Sequence, residues 1–324
     1  MKEVIYAKAE GRLISKYNAM HLTRPVYINT GRVIICTMQQ YIDKAKVLIE
    51  ALPYIRSFYG KTVVIKYGGS AMVNEELKQS VIQDIALMKL VGMCPVIVHG
   101  GGNEINTLLK RLDIKTEFVN GLRVTDAETM EVVEMVLSGK VNKEVVTIIQ
   151  KQGINAVGIS GKDGNILTAR KKLIDGKDAG FIGEIENVDP KLIKTLIQND
   201  FIPVIAPVAK DMQGHTYNVN ADYAASAIAG ALQAEKLVFL TDIEGVLKDV
   251  NDPHSLISNI TVNEAGQLIK EGVISGGMIP KVDCCIDGVK KGVKTVHILD
   301  GRVEHSMLLE IFTDRGIGTM IHRD

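Results

Sequence analysis

Two lysines, an aspartate, an arginine and several glycine clusters carry the chemistry that can be read in this chain. Lys66 lies in the apolar run Thr62-Val63-Val64-Ile65-Lys66-Tyr67, two residues before Gly68-Gly69. A lone buried ammonium is costly, so this lysine must reach a strand end or pair with an anion. Lys281 begins a helix after Gly276-Gly277-Met278-Ile279-Pro280, where it can face a phosphate beside a glycine loop. Asp222 opens a helix after Asn218-Val219-Asn220-Ala221, and on the residues alone its simplest role is the N-cap. Arg123, in Asn120-Gly121-Leu122-Arg123-Val124-Thr125, suits a bidentate carboxylate clamp, with a surface ion pair as the plain alternative. His99 abuts a glycine loop and reads as a satisfied structural histidine.

The glycines fall where apolar runs end: Gly68-Gly69-Ser70, Gly100-Gly101-Gly102 and Gly161-Lys162. Successive glycines let backbone N–H groups converge on an anion, and a following helix N-terminus adds its dipole. Two such loops imply two anionic groups held close together. Other phosphate and hydrolase motifs are missing. Gly60-Lys61-Thr62 has the end of a Walker-A loop, but Ile55 stands where its first glycine belongs. No GxGxxG follows a strand, and there is no GxSxG or HExxH.

The elements that must position these residues are strand–glycine–helix units. Six runs rich in Val and Ile predict strands covered on both faces: Thr62–Tyr67, Pro95–His99, Ala156–Ser160, Ile202–Pro207, Lys236–Thr241 and Thr295–Leu299. Helical spacing lies between them, at Glu75–Gly92, Thr129–Leu137, Lys143–Gln150, Pro190–Ile197, Asp222–Leu232, Val262–Ile269, Lys281–Lys290 and Glu304–Phe312. The expectation is an α/β fold with a largely parallel sheet, whose ligands sit outside the carboxyl ends of the strands. Asn165–Ala169 and Phe181–Val188 read as an inserted hairpin. Ahead of the body, residues 39–58 predict a helix with two apolar faces, Ile42-Ala45-Leu48-Leu52-Ile55 and Val47-Ala51-Tyr54-Phe58, kinked by Pro53. One face can dock on the chain's own body; the second needs another cover, as in a helix that joins subunits.

With 324 residues, 46 % of them hydrophobic, the chain can bury a substantial core in two lobes or one large unit. No apolar run approaches the ~18–20 residues that span a bilayer. Lys+Arg and Asp+Glu are both 38, which disfavours a nucleic-acid binder. Cys36, Cys94, Cys284 and Cys285 form no CxxC pair or spaced framework, which fits a reducing cytoplasm. Residues 1–37 carry six basic side chains against two acids and have no secretory apolar core. They read as a disordered extension, with Met38 as the natural start.

Taken together, the motifs resemble the amino acid kinase family from about Met38 to Asp324. The resemblance rests on Lys66-Tyr67-Gly68-Gly69-Ser70, His99-Gly100-Gly101-Gly102, Asn120-Gly121-Leu122-Arg123-Val124-Thr125, Asn218-Val219-Asn220-Ala221-Asp222, Thr241-Asp242-Ile243-Glu244-Gly245-Val246 and Gly276-Gly277-Met278-Ile279-Pro280-Lys281, in the family's order. It implies a three-layer α-β-α sandwich, with an amino-acid-binding lobe at 61–210, a nucleotide-binding lobe at 211–324 and an oligomerisation helix at 38–60. It further implies phosphoryl transfer from ATP, with Mg²⁺ on the phosphates, to the side-chain carboxylate of N-acetyl-L-glutamate in arginine biosynthesis.

By that resemblance Lys66 and Lys281 are catalytic, and Asp222 holds both ammoniums. Gly101, Gly102, Arg123 and Asn218 bind the acid. Gly68, Gly69, Thr241, Asp242, Gly245, Val246, Gly276, Gly277 and Met278 surround the nucleotide. The arginine-inhibited branch implies a hexamer built through the N-terminal helix and an inhibitory arginine near Tyr54, Lys236, Glu310 and Gly318. A partner of the PII signalling type is compatible with it. Sister kinases acting on N-acetyl-aminoadipate, aspartate or glutamate share the pattern, and a nucleotide sensor without turnover is the alternative from another class. A sensor needs fewer transition-state groups than Lys66, Asp222 and Lys281 provide.

Overall fold

A computed structural model describes residues 6–7, 13–14, 23–27, 33–313 and 316–324, with side chains from residue 39 onward. Its contacts divide the chain into two units, Met1–Ser57 and Phe58–Asp324.

In the first unit, Tyr6–Ala7 pairs with Leu13–Ile14 and Thr23–Tyr27 with Val33–Thr37, both antiparallel. The rest of the extension expected to be disordered lies outside the described residues. Helix α1 (Met38–Glu50) follows, and α2 (Leu52–Phe58) continues it after a break at Ala51. The break falls where expected, because Pro53 has no N–H to give to the preceding turn. Both predicted faces carry exposed apolar side chains, among them Ile42, Val47, Leu48 and Leu52.

The second unit is built on an eight-stranded sheet: β1 (Thr62–Tyr67), β2 (Cys94–His99), β3 (Ala156–Ser160), β4 (Ile202–Ala206), β5 (Lys236–Thr241), β6 (Asn259–Thr261), β7 (Thr295–Asp300) and β8 (Thr319–His322), in the order β6-β8-β7-β5-β1-β2-β4-β3. All neighbours pair in parallel except β7 and β8. The four strands up to Ala206 lie together on one side, and the four from Lys236 onward on the other. The halves meet where β1 pairs with β5.

Helices α3 (Ser70–Val73), α4 (Glu75–Leu90), α5 (Gly102–Arg111), α6 (Ala127–Glu134), α7 (Asn142–Gln150), α8 (Lys191–Gln198), α9 (Ala221–Leu232), α10 (Val262–Lys270), α11 (Met278–Lys290) and α12 (Ser306–Phe312) complete the unit. Successive strand side chains point to opposite faces. In β1, Val63 and Ile65 enter a core with Ile82, Ile85, Val145 and Met307 of α4, α7 and α12, whereas Val64 enters one with Ala224, Ile228 and Val282 of α9 and α11. That alternation between two covered faces makes the three-layer sandwich. It also places Lys66, two residues from Val64, on the α9–α11 side.

Three local readings change. The segments read as separate helices at 129–137 and 143–150 are one helical run, because a π turn (Met135–Val141) carries the chain through Ser138-Gly139. The inserted hairpin is longer than expected, Leu167–Ile174 with Lys177–Val188. Its charged residues hid the strand period, although Asp175 and Gly176, both with positive φ, supply the tight turn. It closes a small barrel with Val208–Lys210 and Thr216–Asn218. Finally, α11 begins at Met278, so Lys281 lies within its first turns rather than at its start.

Candidate active site

Period two in β1 and the helix faces of α9 and α11 bring three charged groups together. Asp222 Oδ1 stands 3.0 Å from Lys66 Nζ, and Oδ2 stands 3.4 Å from Lys281 Nζ. The side chains are 13 %, 16 % and 26 % exposed for Lys66, Asp222 and Lys281, so the cluster is sheltered but reachable. Burial on its own would raise the Asp222 carboxyl; the two ammoniums outweigh it and hold the group below its ordinary value. The capping role read for Asp222 belongs to Asn220, whose Oδ1 accepts from the Asp222 and Tyr223 N–H groups. Asp222 is thereby released from the helix end to face the lysines.

Gly68 leaves room for Lys66, since a Cβ there would meet its Nζ at 2.9 Å and push the ammonium aside. Gly69 has φ +67, and a Cβ would meet Asp242 Oδ1 at 2.8 Å. That same oxygen accepts the Ser70 N–H at 2.8 Å. Asp242 therefore ties the first glycine loop to the end of β5, where β1 and β5 run side by side.

Two cavities open beside the cluster. The smaller, about 170 Å³, includes Gly101, Gly102, Phe118, Arg123, Leu137 and Asn218 in its lining. All four residues expected to bind the acid are there. Arg123 is delivered by a two-residue hairpin, Phe118–Val119 with Leu122–Arg123, turned at Asn120-Gly121 with both φ values positive. Its cross-strand partner Phe118 lies under the guanidinium, 4.7 Å from the ring centre. Nη2 donates to Asn106 Oδ1 at 2.6 Å, while Nη1 is buried with no protein partner among the described residues. A buried guanidinium nitrogen without an acceptor calls for an anionic ligand. Asn218 donates to Thr125 Oγ1 at 3.3 Å.

The larger cavity, about 670 Å³, is lined by Asp242, Gly245, Val246, Gly277, Met278 and Lys281 among others. Gly68, Gly69, Thr241 and Gly276 of the expected nucleotide set are not in its wall. Thr241 is buried and uses its hydroxyl within its own loop, accepting from the Ile243 N–H. Gly276, with φ +54, forms the turn into α11. Three residues that the sequence reading passed over matter here. Thr319 Oγ1 accepts the Val246 N–H at 2.8 Å and donates to Ile257 O at 2.7 Å, pinning the loop after β5. Arg302 lines the cavity and is gripped by Asp300 through both carboxylate oxygens. The position of Asp300 and Arg302 at the end of β7 is the one sequence signal that points to them.

The residues expected to hold arginine divide between the units. Tyr54 belongs to the first. In the second, Lys236 Nζ lies 2.9 Å from His297 Nε2, and His297 Nδ1 lies 2.8 Å from Glu310 Oε1. Burial pushes Lys236 and His297 down, whereas His297 holds the Glu310 carboxyl below its usual value against burial. Gly318 has a packing reason of its own, since a Cβ would meet Ile298 O at 2.1 Å.

Residues 61–300 match the amino acid kinase family, and the chain belongs to that family. Within it, the chain is 60 % identical over 283 residues to the acetylglutamate kinase of Caldanaerobacter subterraneus subsp. tengcongensis, covering 87 % of this chain and 94 % of that one. It is 57 % identical to the acetylglutamate kinase of Moorella thermoacetica, covering 86 % and 97 %. Among solved structures, N-acetylglutamate synthase of Neisseria gonorrhoeae, complexed with coenzyme A and N-acetyl-glutamate, superposes with a TM-score of 0.76 at 28 % identity, over 86 % of this chain and 63 % of that one. Carbamate kinase of Giardia lamblia bound to AMP-PNP, at 19 % identity and a TM-score of 0.61 over 82 % and 99 %, shares the fold.

Proposed function

We propose that the chain transfers the γ-phosphoryl group of ATP to the side-chain carboxylate of N-acetyl-L-glutamate, the acetylglutamate kinase reaction, giving an acyl phosphate. The observation that carries this reading is the Lys66–Asp222–Lys281 cluster set beside two cavities. Lys281 lines the larger, and Asn218 to Ala221, leading into Asp222, line the smaller. The identity to acetylglutamate kinases along nearly their whole length supports the choice of acid.

A carboxylate is already a nucleophile near neutral pH, so the transfer needs no general base. What it needs is positioning and charge, since anions converge on the moving phosphoryl group. Lys66 neutralises charge on that group in the transition state, and Lys281 does so on the departing ADP. Asp222 keeps both ammoniums aimed. Gly68, Gly69, Gly101 and Gly102 offer backbone N–H donors. Arg123 grips the α-carboxylate through its unpaired Nη1, and Asn218 takes the acid's other polar groups. Asp242, Gly245, Val246, Gly277 and Met278 frame the nucleotide, with Thr241 and Gly276 shaping the loops behind them. Mg²⁺ entering with ATP would supply further positive charge to the phosphates. Asp222 already faces two ammoniums, so the ion would be held mainly by the nucleotide's own oxygens.

Lys236, Glu310 and Gly318 of the second unit and, separately, Tyr54 of the first are the residues assigned to arginine inhibition; the chain forms a dimer or, through the exposed faces of α1 and α2, a hexamer. The lobe division falls near residue 210. The free thiols of Cys94, Cys284 and Cys285 suit a reducing cytoplasm, and the setting is compatible with a PII-type partner.

The test is a hydroxylamine trap for acyl phosphate, run with Mg-ATP and, separately, N-acetyl-glutamate, glutamate, aspartate and N-acetyl-aminoadipate, each with and without arginine. Hydroxamate from N-acetyl-glutamate, suppressed by arginine, is expected. Signal from another acid instead would reassign the substrate, and none from any acid would overturn the kinase reading. Light scattering tests the oligomer: a dimer at micromolar concentration contradicts the helix-joined hexamer.

A further inference from the structure

A buried amide sets the orientation of one peptide in the second glycine loop. Asn142 is fully buried at the start of α7, and Gly158 makes room for it, since a Cβ there would meet Asn142 Oδ1 at 1.9 Å. Its side-chain nitrogen lies 2.9 Å from Val204 O and 3.2 Å from Ile159 O, and its oxygen 2.9 Å from Lys143 Nζ. Backbone carbonyls only accept and an ammonium only donates, so the amide has one allowed orientation. Nδ2 is therefore a donor with two hydrogens for three neighbouring acceptors, and His99 Nε2, 3.1 Å away, can face it only as an unprotonated acceptor. A neutral imidazole that accepts on Nε2 carries its proton on Nδ1. That proton goes to Gly100 O, 2.7 Å away. Burial pushes His99 down to about 4, so the neutral form persists at ordinary pH.

The same peptide unit contains the Gly101 N–H. Among the described residues no peptide bond is cis, so in this trans unit the Gly101 N–H points opposite to the Gly100 C=O. The Gly100 N–H is also committed, donating to Tyr67 O at 2.8 Å. Gly101 lines the acid cavity, and a Cβ on it would meet Leu137 Cδ2 of the π turn at 2.6 Å. We infer that His99 is a positioning residue for the phosphoryl transfer: by drawing the Gly100 carbonyl back, it turns the Gly101 N–H toward the acid cavity as a donor to the anions that meet there. The inference rests on the acetylglutamate kinase reading proposed above. Without the Nδ1–H, the unit is free to rotate and present a carbonyl oxygen, which repels those anions.

Two variants separate this role from packing. His99→Asn can place its amide nitrogen where Nδ1 stands and keep the donor to Gly100 O, while losing the contact with Asn142. His99→Gln reaches Asn142 but leaves Gly100 O without a donor. Steady-state kinetics should show kcat falling about a hundredfold in His99→Gln, with KM for ATP within about twofold of the parent, the loss that one transition-state donor carries. His99→Asn should stay within about tenfold of the parent in kcat even where its melting temperature is the lower of the two. Equal losses in the two variants, or losses that follow melting temperature, would overturn the inference. If the parent chain phosphorylates no acid, the reaction reading fails, and the orientation is then judged by ¹⁵N-histidine NMR of that chain. A neutral imidazole protonated on Nδ1, and absent from His99→Asn, supports the lock; an Nε2–H tautomer at His99 overturns it.

Discussion

At the carboxyl ends of the strands, Lys66 and Lys281 flank Asp222; toward the amino ends of β5 and β7, Lys236 and His297 stand in line with Glu310. The clusters also occupy opposite faces of the sheet. Lys66 shares a face with Val64 and the α9–α11 layer, whereas Lys236 and His297 fall on the side of Val238 and Met307, where α12 carries Glu310. The group types are similar and the exposure is not. His297 and Glu310 are 1 % and 8 % exposed, against 13–26 % across the first cluster. The closed cluster satisfies itself, with Lys236 capped by the Phe58 ring 5.3 Å away and Glu310 also accepting the Ile317 N–H. The open one concentrates two ammoniums on one carboxylate and leaves positive charge for a ligand. Burial, more than residue type, separates a cluster open to reacting groups from one whose charges are already paired within the fold.

Substitutions can break this contrast. The largest effect is expected at the open end: Lys66→Ala and Lys281→Ala should each lower kcat about 10²–10³-fold, the range for one electrostatic donor, with little change in melting temperature. Near-normal turnover in either variant removes it from the mechanism. At the closed end, Lys236→Ala should destabilise by about 3 kcal/mol in chemical denaturation, because it strips one partner from a buried charged network. Its kcat should fall far less than that of Lys66→Ala; a reversed order would dissolve the distinction.

Asp84 extends the argument to α12. Its carboxyl is fully buried, 2.6 Å from His305 Nδ1, and burial pushes it up from 3.8 to about 6. The folded state thus binds this proton more tightly than the unfolded chain does. Its contribution is complete below pH 3.8 and is lost as pH rises through about 6, by up to about 3 kcal/mol. Asp84→Asn should therefore gain stability relative to the parent between pH 4 and pH 7, measured by denaturant titration at both; a difference that does not grow with pH contradicts the assignment.

Arg123→Ala should raise KM for N-acetyl-glutamate by about tenfold or more, with KM for ATP unchanged, since a hydrogen bond to a charged group contributes about 1.5–3 kcal/mol. Arg123→Lys should not restore it, because a point charge cannot reproduce the planar fork over Phe118. The smallest effect is expected for Thr319→Val, which leaves the Val246 N–H and Ile257 O without a partner. A rise of a few-fold in KM for ATP and about 1 kcal/mol of stability are the expected losses; an unchanged KM would separate Thr319 from the nucleotide site.

Much of this site is legible in the chain, because its grammar is local. Apolar strands ending in glycine, the Asn120-Gly121 turn before Arg123 and the Pro53 break follow from backbone preferences over a few residues. Asp222 shows where local reading stops. Its position favours a cap, and the fold gives the cap to Asn220 because the hydrogen bonds of one turn leave Asp222 facing two lysines from other elements. The π turn is similar: helical spacing ends at Leu137 and resumes at Lys143, yet Leu137 and Val141 pack on Gly101 and the helix runs through.

The sequence by itself determines the strand–glycine–helix order, the two-faced burial of the strands and the residue types able to stabilise a migrating phosphoryl group. Tertiary structure alone decides which partners meet: Ser70 with Asp242 across 172 positions, Lys281 with Asp222 across 59, and the histidine that orients Gly100 through Asn142 across 43. Those contacts depend on sheet order, and on which face of each strand a residue occupies once all layers have closed around it. No short window of sequence holds that information, because the contacts are set by burial shared between distant segments.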